Sequence, residues 1–473
     1  MRRLIQNYIY NLGYQFLTII IPFITIPYVT RVLGPDNIGI EAFTLSIVSI
    51  FVAFASGGTS VYATRMVASL RGEREKLSKE VYNLFFIRST IAFFVIVLFL
   101  FIASNSVYKE FLLLQLVYLL AFTILDVTWY FAGKERFKEI TIRNALVKIV
   151  GFAFILLFVN DTGDLDVFIL INGLTLFIPN IYFIIKFFIE VGKPKLEYFS
   201  MRNSLKIIKS LIPFFVLAVI IQVYMNVDRL IIESKNLTYE LGIYSQYIKT
   251  FGVFLAPITA IGTILMPFVT NLNHSREEKK DYQKVIKIST NFIFLLGLPI
   301  FFGVLITSNK FVSFYFGSDF LQYNEIFKLG SFLIITGCLS NVIIQQVIFP
   351  NKLEFIYIQG LIIASLLRVL IIYVFINKYN IYAAMIAYII SELALLIWCI
   401  LKSKKTINLV PILFCLNNSK ILFSSLVMSL SIYFFDLNFF FSIFIGVITY
   451  LIIIILIKEE LTYKIIKLKL SKS

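Results

Sequence analysis

Apolar runs of roughly 18 to 26 residues alternate with short polar joints along almost the whole chain. At ~1.5 Å of rise per helical residue, each run is long enough to cross a hydrocarbon core of ~30 Å. They lie near 7–30, 40–64, 82–104, 109–132, 142–160, 166–190, 207–233 and 241–270, then near 283–308, 324–349, 353–376, 380–401, 418–436 and 438–458. The expectation is therefore an all-α polytopic membrane protein with about fourteen transmembrane helices. The first pair of runs, between Gln6 and Arg65, sets the pattern: two apolar arms are hinged at Arg31-Val-Leu-Gly-Pro-Asp-Asn-Ile-Gly39. Gly34-Pro35 interrupts a continuous helix there and predicts a short hairpin tip. A related pattern returns roughly two hundred residues later, with Asp228-Arg229 followed by Leu241-Gly242-Ile243-Tyr244. Gly39-Ile40 and the later Gly72-Glu-Arg-Glu-Lys76 correspond to Gly242-Ile243 and Ser275-Arg-Glu-Glu-Lys279 at similar spacing. An even number of spans separates the two pairs, so they have the same topology and form a parallel repeat of the kind found in two-lobed transporters.

The polar joints orient the chain. One set carries Arg65 to Lys79, Lys134 to Lys138, Lys193 to Lys206, Arg276 to Lys280, Lys402 to Lys405 and the tail Lys464 to Lys472, whereas the opposite set holds isolated bases such as Arg31, Lys109, Lys235, Lys310 and Lys378. The positive-inside rule then places both termini in the cytoplasm, which an even span count requires. The joint 191–206 is the best candidate boundary between halves, giving 1–200 and 201–404 as six-helix lobes and 405–473 as two further helices with a basic tail. The one sizeable outer loop, around Lys310 to Tyr323, contains FVSFYFGSDF and reads as an interfacial turn. Met1-Arg2-Arg3 precedes a run broken by Asn11 and Gln15, which reads as an uncleaved first span.

Composition agrees: 59% of residues are apolar and 15% charged, against about 45–50% and 25% in soluble domains. The net charge of +16 comes from bases dispersed among apolar spans, with no nucleic-acid-binding module. Cys338, Cys399 and Cys415 are too few and too scattered for a disulfide framework or a metal site. The sole histidine, His274, falls in a basic loop and reads as solvated surface.

Ionisable residues inside spans are the candidate chemistry, because a charge at mid-bilayer costs at least ~2.5 to 3.5 kcal/mol and calls for a partner, a wet cavity or a snorkelling route. Asp126 and Lys148 lie at similar depth on adjacent, oppositely directed spans and are expected to pair; Arg368 and Glu392 are a second antiparallel candidate pair. Arg31, Asp228, Arg229 and Lys249 cluster toward the outer halves of the spans that begin each repeat. Lys249, about nine residues into its span and ~13 Å deep, reads either as a lumen-lining base that attracts an anionic substrate or as a partner of Asp228. Arg65 and Arg88, near span ends, are expected to meet lipid phosphates. Asn180, Asn226, Gln222, Gln345 and Gln346 are expected to form interhelical hydrogen bonds, with Gln345-Gln346 also able to face a cavity.

These motifs resemble those of the Wzx-type polysaccharide flippases, in the MOP superfamily that also holds MATE-type multidrug exporters and the lipid II flippase. The resemblance covers residues 1 to about 400. It is carried by Pro27-Tyr-Val-Thr-Arg31-Val-Leu-Gly-Pro-Asp-Asn-Ile-Gly39, by Asp126-Val-Thr-Trp-Tyr-Phe-Ala-Gly-Lys-Glu-Arg-Phe137 leading to Ile142-Arg-Asn144, and by Asp228 with Gly242-Ile-Tyr-Ser-Gln-Tyr-Ile-Lys249. Leu265-Met-Pro267, Phe316-Gly-Ser-Asp-Phe320, Ala383-Ala384 and Glu392 follow in order. The resemblance implies a MATE-like fold of two pseudo-symmetric lobes plus two C-terminal helices, in a bacterial cytoplasmic membrane. It implies a transporter rather than an enzyme, without cofactor, moving undecaprenyl-pyrophosphate-linked O-antigen, capsule or exopolysaccharide repeat units by alternating access. Arg31, Lys249, Arg229 and Lys148 would line a cationic cavity, and Asp126, Asp228, Arg368 and Glu392 would serve pairing or coupling. The implied partners are the lipid-linked glycan, a coupling ion (H+ or Na+) and a polysaccharide polymerase or assembly machinery. The chain departs from the family pattern at Ala132, where Gln is frequent, at Phe268, where Arg commonly follows the proline, and near Arg368, where Asn is usual. A MATE-type drug/cation antiporter is the nearest alternative, but the first span lacks a carboxylate. A polytopic polymerase or glycosyltransferase would want a large outer loop or an acidic metal motif.

Overall fold

The computed structural model describes the backbone except at residues 1, 199–200, 272–277, 405, 436–437, 461 and 463–473, and its side chains except also at 2–16, 196, 201–202, 261–268, 270–271 and 278–280. Every regular element among the described residues is helical. Twelve described stretches are long and apolar enough to cross a membrane. The first, Leu17–Ser69, joins two of the predicted spans, and Thr238–Asn271 contains the eighth. The tally is thus in rough agreement with about fourteen crossings.

The chain forms two compact units, Met1–Gly242 and Ile243–Ser473. In the first unit, α1 (Arg2–Ser56) is followed by α2 (Thr59–Ser69), α3 (Arg74–Ser104), α4 (Lys109–Thr123), the short α5 (Thr128–Gly133), α6 (Phe137–Phe158), α7 (Leu165–Val191) and α8 (Met201–Glu233). Helix α9 (Thr238–Asn271) begins in this unit and continues into the second. The second unit adds α10 (Glu278–Tyr315), α11 (Asn324–Gly330), α12 (Phe332–Val342), a π-helical turn at Ile343–Ile348, α13 (Glu354–Tyr379), α14 (Ile381–Ser403), the short α15 (Val410–Leu413), α16 (Leu416–Phe435) and α17 (Phe439–Leu456).

The predicted hairpin tip is a single residue. Helical geometry in α1 breaks only at Gly34 (φ 75°, ψ 166°), a backbone region essentially closed to residues with a Cβ. Pro35 then restarts the helix at a position where its missing N–H is no loss. The Asn37 amide donates back across the break to the Leu33 carbonyl at 3.0 Å and onward to the Thr162 carbonyl at 2.7 Å. Val29, Leu33 and Ile38, on both sides of the break, pack with Ile155, Val159, Leu165 and Ile169 of the α6–α7 region. The Tyr28 hydroxyl donates to the Val159 carbonyl at 2.7 Å, fixing the same junction.

The two repeat glycines meet within the first unit. A Cβ on Gly39 would lie 2.0 Å from the Thr238 carbonyl oxygen, and one on Gly242 would lie 1.9 Å from that of Pro35. Each glycine thus receives the backbone one helical turn before the other. This reciprocal small-residue contact lets α1 and the start of α9 touch backbone to backbone.

Aromatic packing fixes the rest of the first unit. Trp129, Tyr130 and Phe131 of α5 are all buried and meet α7 edge-on, Trp129 and Tyr130 against Phe187 at 5.9 and 5.1 Å, and Phe131 against Phe183 at 4.7 Å. In the second unit, the stretch expected to be an interfacial turn is drawn inward instead. Phe316 and Phe320 are buried, and Tyr247 of α9 packs against both rings at a tilt while donating to the Phe320 carbonyl at 2.8 Å. Helices α16 and α17, whose sequences carry no usable motif, dock on α10 through Leu298, Ile421, Met428, Ile432 and Ile454. Tyr450 anchors them by donating to the Leu295 carbonyl at 2.7 Å.

The break at Gly34 yields a direct expectation. Gly34→Ala should destabilise the detergent-solubilised protein by about 1–3 kcal/mol, visible as a lower melting temperature. Gly72→Ala, where a Cβ meets nothing within 4 Å, should melt like the parent. Identical melting of all three proteins would contradict a structural need for glycine at 34.

Candidate functional site

The intramembrane charges of the first unit are arranged differently from the sequence-based pairing. Asp126 pairs with Arg88, not with Lys148: Arg88 Nη2 lies 3.7 Å from the Asp126 carboxylate. The guanidinium also donates to the carbonyls of Asp126 and Phe122, each at 2.8 Å. Those carbonyls are available because α4 ends at Thr123 and α5 begins only at Thr128, leaving their normal helical acceptor role empty. Arg88 is 2% exposed, so it does not meet lipid phosphates as its position near a span end suggested. One residue before the N-cap of α5, the Asp126 carboxylate also accepts from the Thr128 N–H at 3.0 Å and from its hydroxyl. Lys148, half-buried on α6, makes no ion pair among the described residues.

Helix α8 presents a polar ladder at one-turn spacing. The Asn226 amide donates to the Gln222 carbonyl at 2.9 Å and to its side-chain oxygen at 3.0 Å, and Arg229 Nη1 donates to Asn226 Oδ1 at 3.0 Å. Among the described residues Gln222 and Asn226 bond along α8, and their effect is to orient the Arg229 guanidinium. Asp228 beside it is buried, and its carboxylate accepts from the Arg229 N–H at 2.9 Å. Arg31 projects from α1, which packs along α8, and is exposed. Asn180 does bridge helices as expected, donating to the Ala121 carbonyl at 2.9 Å and accepting from Arg143 at 2.7 Å.

In the second unit, Lys249 is half-buried on α9 between the buried Tyr247 and Thr250. Arg368 of α13 is fully buried, and α13 packs against α14, the helix that carries its expected partner Glu392. Its Nε donates to Ser391 Oγ at 2.9 Å and its guanidinium lies 3.9 Å from the Tyr388 ring, a cation–π geometry strengthened by desolvation. The next residue, Glu392, accepts from Ser340 at 3.5 Å. Gln346 falls in the π-helical turn, a feature frequent at functional sites; it is fully buried, with neither amide atom partnered among the described residues. His274 and the tail from 463 onward lie outside the described residues, and Phe268 outside the described side chains.

Sequence reading missed two buried acids. Glu41 on α1 is 5% exposed and Glu233, the last residue of α8, is 7% exposed. Glu233 Oε1 accepts from the Tyr108 hydroxyl at 2.5 Å and from Thr238 at 2.9 Å, tying the α3–α4 turn to the α8–α9 turn beside Gly39. Burial raises the Tyr108 pKa first, with the Glu233 bond adding to it. The available signal was an acid closing an apolar run, which read as a helix end. No cluster of three potential metal ligands occurs among the described residues.

The revised pairing can be checked by comparing two variants. Arg88→Met should cost about 3–5 kcal/mol, because Asp126 loses its only described ion-pair partner in a low-dielectric setting. Lys148→Met should change stability by less than about 1 kcal/mol. Comparable losses for both in thermal unfolding would restore a role for Lys148 in pairing.

Residues 4–273 match the family model described as polysaccharide biosynthesis protein. A curated relative, the putative O-antigen transporter of Shigella dysenteriae, is 20% identical over 381 residues, covering 80% of this chain and 94% of that protein. The fold is similar to that of the lipid II flippase MurJ in an inward closed conformation (TM-score 0.68, 16% identity, 95% of this chain and 98% of that one). It is also similar to an inward-facing multidrug resistance MATE family transporter of the MOP superfamily (TM-score 0.62, 12% identity, 86% and 99%). With the family model spanning more than half of its length, on an all-helical MATE-like and MurJ-like frame, the chain belongs to the polysaccharide biosynthesis protein family.

Proposed function

We propose that this protein is a flippase that carries undecaprenyl-pyrophosphate-linked oligosaccharide repeat units from the cytoplasmic to the outer leaflet of a bacterial inner membrane. The observation that carries this reading is the family match on a frame shared with a lipid II flippase. The curated O-antigen transporter relative supports the same class of cargo. In this reading Arg31, Arg229, Lys148 and Lys249 meet the pyrophosphate or acidic sugars, since a phosphate is best held by fixed cations at reduced dielectric. The exposure of Arg31 and the orientation of Arg229 by the α8 ladder support that assignment for those two.

Asp126, Asp228, Arg368 and Glu392 take the pairing or coupling roles, with H+ or Na+ as the coupling ion. The charge bias of the joints supports a cytoplasmic side for both termini. In this reading the repeat lobes are 1–200 and 201–404, with 405–473 appended, a sequence division distinct from the compact units that divide after Gly242. Alternating access exposes the cationic groups to each leaflet in turn, while the polyprenyl chain stays in lipid. The flipped unit is then handed to a polymerase or assembly machinery.

Arg31→Ala and Lys249→Ala should each insert and fold normally, yet lower surface-polysaccharide export at least tenfold in a complementation assay. Full export by both variants would remove the cationic mechanism while leaving the fold assignment intact.

A further inference from the structure

Helices α6 and α7 border a cavity of about 600 Å³ that the transport reading does not use. Its volume falls in the range of small-molecule sites. The walls are apolar, with Leu146, Val150 and Phe154 from α6 and Ile178 and Tyr182 from α7. Leu146 is 56% and Ile178 60% exposed, so the cavity is an open groove along the helix pair. In a polytopic protein such a groove faces an apolar chain rather than water.

One end of the groove is cationic. Glu139, Arg143 and Lys186 line it. Behind them runs a chain of ion pairs: Lys186 to Glu139 at 2.7 Å, Glu139 to Arg136 at 2.6 Å, Arg136 to Glu190, and Glu190 to Lys134 at 3.2 Å. That chain holds three bases and two acids. Arg143 adds a further positive charge, about 9 Å along α6 from its start. The amide oxygens of Asn144 and Asn180 accept from it at 2.7 Å, and its guanidinium lies 4.8 Å from the Phe183 ring. These contacts fix the fork in place.

We propose that this groove is a binding site for an anionic bilayer phospholipid. One acyl chain lies along Leu146, Val150 and Ile178, and the phosphate is held by Arg143 and Lys186. The complementarity is twofold: an apolar trough long enough for a chain, and a net positive mouth at one end, where guanidinium and ammonium groups meet phosphate oxygens well. None of the four cations assigned to cargo lines the groove, and its test reads lipid retention rather than export.

The test is native mass spectrometry of the purified full-length protein titrated with phosphatidylglycerol, phosphatidylcholine or undecaprenyl phosphate. The parent should retain one phosphatidylglycerol in preference to phosphatidylcholine. At about fivefold per base, Arg143→Gln and Lys186→Gln together should reduce that preference by roughly twenty-five-fold. Ile178→Trp, which fills the groove and keeps both bases, should lose bound lipid altogether, so the proposal stands or falls even if the double variant does not fold. Equal retention of the two phospholipids by the parent would overturn the proposal. So would unchanged binding in Ile178→Trp, or a preference for undecaprenyl phosphate over phosphatidylglycerol that Ile178→Trp abolishes, which would make the groove a cargo site.

Discussion

A charge enclosed among apolar helices must find a partner or water, and that constraint organises both units. Arg88 is satisfied because the helix between Thr123 and Thr128 is interrupted, which frees the Phe122 and Asp126 carbonyls to accept from its fork. The break in α4–α5 and the buried arginine are therefore one feature rather than two. Arg368 is met by a serine hydroxyl and a tyrosine face on the adjacent helix. Arg229 has no ion pair among the described residues, and the neutral Asn226 amide orients its guanidinium instead.

The second organising feature is close backbone approach. Gly39 and Gly242 were legible as equivalent positions of a repeat, because the same Gly-Ile pair follows a polar joint in each half. That they touch each other could not be read from spacing. Only the reciprocal geometry, each glycine against the carbonyl one turn before the other, shows that both must lack a Cβ. The neighbouring Tyr108–Glu233–Thr238 cluster ties the same junction by hydrogen bonds.

Helical class, span positions and the break at Gly34 were all legible because they depend on local composition and on proline and glycine chemistry. Pairing was less legible. Asp126 and Lys148 share a depth, but depth does not fix which face of a helix a side chain occupies, and Arg88 reaches the carboxylate first. Its place near a span end suggested snorkelling, whereas the α4–α5 interruption gave it a buried berth. The docking of α16 and α17 on α10 was likewise invisible, since ordinary Leu, Ile and Met contacts leave no motif.

The central claim is that this family member moves a lipid-linked glycan across the membrane. The most direct measurement depletes the protein and uses mass spectrometry with a membrane-impermeant label to determine which polyprenyl-linked sugars accumulate, and on which leaflet. A repeat unit trapped on the cytoplasmic leaflet is the expected result. Accumulation on the outer leaflet would contradict it and assign the lost step to polymerisation.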